Sequence, residues 1–285
     1  MEKCLAISGG NGFIGKHLVD YYISKGWVII RLNRDDLYGK PEDLAQKIEK
    51  CKVVIHLAGA PIFTRWTENR KQIFYKSRIE TTKNVVKAFA ILDEVDRPKH
   101  LINASAIGIY KSGISHDESS TKLRTDFLGK LIKDWEASAF EAQQLGVKVS
   151  ALRFGMVFGD DGGAYEKMLK IYRWGLGANL GSGNQNVVWI GLTDVQKAVD
   201  FIIKKGIEGA INLVAPQQLS YGKFHRKMAL FTSRFAFIRV PSFMVRWVMG
   251  TVAQEVLETP TVKPQVLLDN RFEFSYPDMD AFLKG

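Results

Sequence analysis

Near the amino terminus an apolar run, Cys4-Leu5-Ala6-Ile7-Ser8, leads at once into Gly9-Gly10-Asn11-Gly12-Phe13-Ile14-Gly15. A helical pattern then runs from Phe13 to Ser24 and stops at Lys25-Gly26. By itself a Gly-x-x-Gly-x-x-Gly match is an ordinary glycine-rich turn. Between a buried strand and a helix the glycines divide the work: one permits the tight turn, one lets backbone approach an anion, and one lets the helix pack closely on the strand. Free amide groups and the helix dipole are then left aimed at a phosphate or pyrophosphate.

The rest of the chain continues in the same β/α alternation. Trp27 to Leu32 reads as a strand buried on both faces, and Val53 to Leu57 repeats that character after a polar helix. A polar helix is expected over Glu68 to Leu92, broken before Pro98, with a strand from His100 to Ser105. Trp135 to Leu145 reads as a helix stopped by Gly146, and Val147 to Phe154 as another parallel strand. Asp194 to Lys205 is a helix candidate and Ala210 to Val214 a strand candidate. No internal repeat appears. The expected class is α/β, a doubly wound parallel sheet whose ligands sit at the carboxyl ends of the strands where strand order switches. At 285 residues the chain has room for one large domain with a smaller lobe.

If the turn holds a dinucleotide, the end of the second strand selects its type. An acid there would hold the adenosine ribose hydroxyls of NAD, but the chain has Asn33-Arg34. A guanidinium binds a 2′-phosphate that a carboxylate would repel, so NADP is favoured over NAD. Asp35 and Asp36 nearby keep NAD use open.

Charge and cysteine content exclude other classes. Cys4 and Cys51 are too few for a disulfide scaffold, and a reducing, cytoplasmic setting is expected. The five histidines are dispersed, so no metal site is assigned, and His56 within an apolar strand reads as a packed core residue. Ser115-His116-Asp117 reads as a polar loop, because adjacency alone makes no nucleophile-base relay. No leader and no membrane span are expected, since no stretch reaches 18 consecutive apolar residues. The uncharged stretch from Trp174 to Thr193 is rich in glycine and asparagine and reads as a loop.

The formal charge is +10, and from Gly209 to Gln254 there are six basic residues and no acidic one: Lys223, Arg226, Lys227, Arg234, Arg239 and Arg246. The apolar residues among them, Phe224, Met228, Phe231, Phe235, Met244, Val245, Trp247 and Val248, suggest helices with one buried face and the bases on the solvated side. An anionic partner or a membrane-surface contact is the other reading. Without a helix-turn-helix, zinc or aromatic-basic signature, nucleic-acid binding is not expected.

Further motifs follow the turn in order. They are His56-Leu57-Ala58-Gly59-Ala60-Pro61, Arg65-Trp66-Thr67, Ser77-Arg78-Ile79-Glu80-Thr81-Thr82, Asn103-Ala104-Ser105-Ala106 and Asp134-Trp135-Glu136-Ala137. Gly162-Gly163-Ala164, Gly181-Ser182-Gly183-Asn184-Gln185, Trp189-Ile190 and Phe272-Glu273-Phe274-Ser275-Tyr276-Pro277 come later. With these the chain resembles, almost end to end, the extended short-chain dehydrogenase/reductases, and within them an atypical branch called the epimerase family, NAD(P)-binding nucleoside-diphosphate-sugar epimerase-like proteins. The resemblance implies a Rossmann-like NADP(H)-binding domain over residues 1–215. It also implies a small, mostly helical C-terminal lobe over 216–285 that covers the substrate cleft. It places Gly9, Gly12, Phe13, Ile14 and Gly15 at the pyrophosphate, and Asn33 and Arg34 at the adenosine end. Leu57, Ala58 and Gly59 would line the cleft, Arg78 would reach it from a helix, and Met156 would lie near the nicotinamide. The expected partners are this dinucleotide and a small-molecule substrate whose identity the residues do not give.

Catalysis in that superfamily relies on a Tyr-x-x-x-Lys pair with a serine that orients substrate. Ser105 occupies the serine place. Aligning Glu136 with the acidic residue that trails the pair puts Leu128 and Ile132 where tyrosine and lysine belong, and neither transfers a proton. Tyr21 and Lys25 have the pair's spacing but lie on the helix after the phosphate turn. Two readings follow. Tyr110 acts as acid/base, with Lys111, Lys130 or Lys133 supplying positive charge, in a NADP(H)-dependent oxidoreductase or epimerase-like enzyme; or Tyr110 is a packed aromatic and the protein is a non-catalytic NADP(H)-binding sensor or interaction protein.

Overall fold

The computed structural model describes residues 3–235 and 237–285. Six strands, β1 (Cys4–Ser8), β2 (Val28–Leu32), β3 (Val53–His56), β4 (His100–Ala106), β5 (Lys148–Phe154) and β6 (Gly209–Leu213), form one parallel sheet in the spatial order β6-β5-β4-β3-β1-β2. The chain therefore steps outward from β1 to β2, then returns past β1 to lay down β3 on the opposite side. That reversal puts the switch point between β1 and β3, where a crevice opens at the carboxyl ends.

Alternation along the strands feeds two cores. Leu5 and Ile7 face α1 (Phe13–Ser24) and, later in the chain, α8 (Leu192–Lys205), through Leu18, Val19, Val195 and Val199. Cys4 and Ala6 face the other layer, where α3 (Pro41–Ile48) and α5 (Thr81–Ile91) supply Leu44, Ile48, Val85 and Phe89. Between these, α2 is Arg34–Tyr38 and α4 is Glu68–Tyr75, while α6 (Phe127–Phe140) and α7 (Gly163–Arg173) precede α8.

Several expected elements take a different form. β2 is not buried on both faces: it is the edge strand, and Val28 and Arg31 are exposed. The stretch from Glu68 is not one α-helix, because a π turn at Lys76–Glu80 separates α4 from α5. α6 begins at Phe127, eight residues ahead of Trp135, since the Asp126 side chain caps it by accepting from the Gly129 amide at 3.0 Å. Its last expected residues form a 3-10 turn, Glu141–Leu145, which ends at Gly146 in the left-handed conformation. Within the Trp174 to Thr193 loop lie short strands at Ala178–Leu180, Asn186–Val187 and Trp189–Gly191.

The C-terminal residues form α9 (Tyr221–Phe231), α10 (Ser242–Met249), α11 (Ala253–Leu257), α12 (Gln265–Asp269) and α13 (Met279–Lys284). Short strands stitch them to the sheet domain: Ile238–Val240 pairs with Ala178–Leu180, and Thr261–Val262 pairs with Ser115–His116. A shared aromatic cluster joins Phe158, Tyr165 and Trp189 to Phe224 of α9 and Phe282 of α13. Asp194 at the start of α8 is fully buried and accepts from the backbone amides of Ser275 and Tyr276 at 2.6 and 2.9 Å. A buried carboxylate of this kind is tolerated because each oxygen has a donor. No helix among the described residues is long and apolar enough to cross a membrane.

Candidate functional site

The turn after β1 is shaped by close backbone approach. Gly9 has φ +69°, and a Cβ there would lie 3.0 Å from the Leu57 carbonyl carbon, so only glycine lets the two strand ends converge. At Gly15 a Cβ would stand 2.1 Å from the Gly9 carbonyl oxygen, which forces glycine where the helix first passes over the strand. The Gly12 amide donates to that same carbonyl at 2.9 Å. No side chain caps α1, so the amides of Phe13, Ile14 and Gly15 are its free first-turn donors. Ile14 packs its side chain on the core, and the Phe13 ring turns toward the loop before α7. A Cβ on Gly159, Gly162 or Gly163 would meet that ring at 2.5 to 3.0 Å, which explains why glycines gather there.

The partner strand end is tied to the turn by buried polar contacts. Ser8 Oγ accepts from the amides of Leu57 and Ala58 at 3.1 and 3.2 Å and shares a 2.7 Å hydrogen bond with His56 Nδ1. His56 is indeed a core residue, fully buried, and burial lowers its pKa to about 4. Sequence reasoning misses the part that Ser8 and His56 play in shaping this loop; their positions closing β1 and β3 are the signal that could have found them.

A cleft of about 390 Å³ extends from Gly9 and Gly12 past Ala58 and Gly59 to Arg31, Asn33 and Arg34. Asn33 spends its side chain on the cap of α2, accepting from the Asp36 amide at 3.0 Å, while the Asp36 carboxylate accepts from the Asn33 amide and pairs with Lys47. Arg34 stacks over Tyr38, 5.4 Å from the ring centroid. Arg31 is an addition to the expected set; it emerges beside Arg34 because the edge strand exposes it, and its guanidinium also contacts Asn11 Oδ1 at 3.3 Å. The cleft thus has amide donors at one end and two guanidinium groups at the other.

Arg78 sits on the π turn, a geometry that often marks functional sites. Its guanidinium donates to the Ala60 carbonyl at 3.0 Å, lies 5.1 Å from the Trp135 ring and rests against Gly59, where a Cβ would be 3.1 Å away. Burial draws its pKa down to about 10, with no carboxylate contributing. Leu57 packs at the same junction, between the β1 core and the cluster around Trp135.

Met156 lines a second, apolar cavity of about 260 Å³ at the ends of β4 and β5, together with Ile107, Leu128 and Phe154. Glu255 of α11 reaches this cavity: its Oε2 accepts from Arg124 at 2.8 Å, whereas its buried Oε1 has no hydrogen-bond partner among the described residues.

Of the expected proton-transfer set, Tyr110 lines the same cavity as Met156. Leu128 and Ile132 are buried on α6 against Gly108, whose Cβ would meet them at 3.0 and 3.3 Å, so an apolar wall stands there. Ser105 donates its hydroxyl proton to Glu136, which also takes both Arg153 Nε and Nη2 at 2.8 Å. Tyr110 is fully buried, donates to Asn212 Oδ1 at 2.9 Å, accepts from Arg153 Nη1 at 2.7 Å and stacks on His116. Burial raises its pKa, against the lowering effect of Arg153. The positive charge beside Tyr110 is Arg153; Lys111, Lys130 and Lys133 are exposed. Tyr21 and Lys25 contact Asp200 of α8, away from the cleft. His116 bonds Ser120 Oγ and the Lys111 carbonyl, so no Ser-His-Asp relay forms there. Among the described residues no group of His, Cys, Asp or Glu could hold a metal ion.

A model of the NAD dependent epimerase/dehydratase family matches residues 5–214, and a model of a domain of unknown function, DUF1731, matches residues 240–285. Epimerase family protein SSP1921 of Staphylococcus saprophyticus is 33% identical over 295 residues, covering 99% of this chain and 98% of its own. Epimerase family protein YfhF of Bacillus subtilis is 28% identical, covering 98% and 96%. The crystal structure of human epimerase family protein SDR39U1 (isoform 2) with NADPH matches with a TM-score of 0.88 at 28% identity, covering 99% of this chain and 98% of that one.

Proposed function

Since the chain belongs to the NAD-dependent epimerase/dehydratase family, we propose that its cleft binds NADP(H) and presents it to a small apolar molecule. One observation carries the first part. At the switch point of the sheet, Gly15 and Gly9 hold backbone so close that no Cβ fits, and no side chain among the described residues caps the first amides of α1. The amides of Phe13, Ile14 and Gly15 would take the pyrophosphate. Arg34, with Arg31 beside it, would take the adenosine 2′-phosphate, and the NADPH in the human relative supports that choice. Leu57, Ala58 and Gly59 would form the facing wall, with Arg78 behind it and Met156 toward the nicotinamide end.

When bound, the dinucleotide supplies or accepts a hydride. This chain's residues handle protons differently from the usual tyrosine and lysine. Leu128 and Ile132 exclude water from that wall, while Ser105 and Tyr110 have their hydroxyl protons committed to Glu136 and Asn212. In the apolar cavity the free Glu255 Oε1 is the acceptor that would orient a donor group of the substrate. The sealed Ser105–Glu136–Arg153–Tyr110 network equally favours a second reading, a protein that holds NADP(H) without turnover.

Calorimetric titration with NADPH and NADH tests the binding claim. Tight NADPH binding with weaker NADH binding is expected, and no heat with either removes the proposal. Turnover of bound NADPH across a panel of small carbonyl compounds then separates the enzyme from the sensor.

A further inference from the structure

Helix α10 exposes apolar side chains that a helix packed on a core would bury. Phe243, Met244, Trp247 and Val248 are exposed, Trp247 to 86%, while Val245 is buried. At about 100° per residue the four exposed side chains fall on one contiguous arc. This departs from the sequence expectation, which puts Phe224, Met228, Phe231, Phe235, Met244, Val245, Trp247 and Val248 on buried faces: only Phe224, Met228 and Val245 are buried. Leu230 at the end of α9 and Phe235 and Phe237 before Ile238–Val240 are also exposed, the last two with rings stacked 5.5 Å apart. Arg234 donates to the Arg173 carbonyl at 3.0 Å, which places it beside the exposed Trp174. On the other side Phe63 and Arg65 meet Trp247 and Val248 around a groove of about 620 Å³.

The unpaired charge along the segment that carries these side chains is of one sign. Lys227 and Arg246 pair with Asp280 and Glu258, but Lys223, Arg226, Arg234 and Arg239 have no carboxylate partner among the described residues. Exposed apolar side chains in such number, interleaved with unpaired cations, mark a docking surface. Two copies meeting face to face would set the same unpaired cations against each other. Aliphatic side chains such as Leu230 and Val248 have nothing to gain from a nucleic-acid backbone. Trp, Phe and Leu beside Lys and Arg suit the boundary between headgroups and acyl chains, where rings and aliphatic groups enter and bases meet lipid phosphate.

We propose that this face docks on the surface of a bilayer rich in anionic phospholipid, without spanning it. The proposal stands independently of cofactor binding. The full chain is sedimented with vesicles of phosphatidylcholine alone and of phosphatidylcholine with an equal share of phosphatidylglycerol, at low and high salt. The comparison variant carries Phe243→Glu and Trp247→Glu together. Expected are binding to the anionic vesicles, a blue shift of tryptophan emission, weakening by salt, and a loss of at least about tenfold in the double variant. Both side chains are exposed, so the variant keeps its NADPH affinity; Phe237→Glu, on a separate segment, should weaken vesicle binding in the same direction. Absence of binding to anionic vesicles, or undiminished binding by these variants, overturns the proposal. A concentration-dependent dimer that the same substitutions abolish also overturns it and gives the face to a second copy.

Discussion

Replacing Gly15 with alanine tests the cradle at its tightest point. The added carbon would stand 2.1 Å from the Gly9 carbonyl oxygen, 2.8 Å from its carbon and 2.9 Å from Gly10 Cα, all backbone atoms that no rotamer change can clear. A carbon and an oxygen settle near ~3.3 Å, so the turn must open by about 1 Å. Overpacking of that kind costs ~1–3 kcal/mol, and opening loosens the 2.9 Å hydrogen bond from Gly12 to Gly9, a further ~0.5–1.5 kcal/mol. A total of about 1.5–4.5 kcal/mol, falling on the turn that presents the free amides, corresponds to NADPH binding weakened by about tenfold or more. Gly10→Ala is the control: its Cβ would meet Ile7 and Val19 methyls at an ordinary 3.5 Å, and it should bind within about threefold of the parent. Both are measured by NADPH fluorescence titration, with thermal unfolding to follow the fold. Gly15→Ala binding like the parent, or Gly10→Ala as impaired as Gly15→Ala, refutes the reasoning.

Arg34→Glu should weaken NADPH by about tenfold or more while leaving NADH nearly unchanged, because only the former carries the 2′-phosphate; an equal loss of both in calorimetry places Arg34 elsewhere. Tyr110→Phe should cost about 1–3 kcal/mol in urea unfolding, since Asn212 and Arg153 each lose a buried partner, with NADPH affinity retained; parent-like stability would mean the hydroxyl is not buried in that network. His56 and His100 have pKa values lowered to about 4 by burial, so both are neutral in the native state near pH 7. Their contribution is full above the unfolded pKa of 6.5; as pH falls toward 4 the unfolded chain takes protons that the native state refuses. Stability should therefore fall by up to about 1.4 kcal/mol per pH unit for each histidine, and a flat urea midpoint from pH 7.5 to 5 would contradict it.

What the sequence reveals is what local chemistry determines. The span of α1 is readable to the residue because glycines bound it on both sides, whereas the loss of the tyrosine and lysine at Leu128 and Ile132 follows only from the family resemblance, counted back from Glu136. Partners brought together by the sheet stay hidden. Ser105, Glu136 and Arg153 lie on three different elements, and nothing local ties them into one network. Arg31 becomes visible only once β2 proves to be the edge strand, and Glu255 only once α11 is seen to reach the apolar cavity. The aromatic residues of α10 mislead for another reason: periodicity reports that a helix has an apolar face, but not whether protein covers it.

Phe13 belongs at once to two places. Its amide is one of the free donors opening α1, and its ring is wedged among Gly159, Gly162 and Gly163 at the threshold of α7. A residue so shared would act as a rocker: a tilt of its peptide at the glycine turn would be carried by a stiff planar group into three glycines that have no side chain to cushion it, beside Asp161, whose carboxylate contacts His17. Occupancy of the cleft would thus be felt by the loop leading to the aromatic cluster under the C-terminal helices.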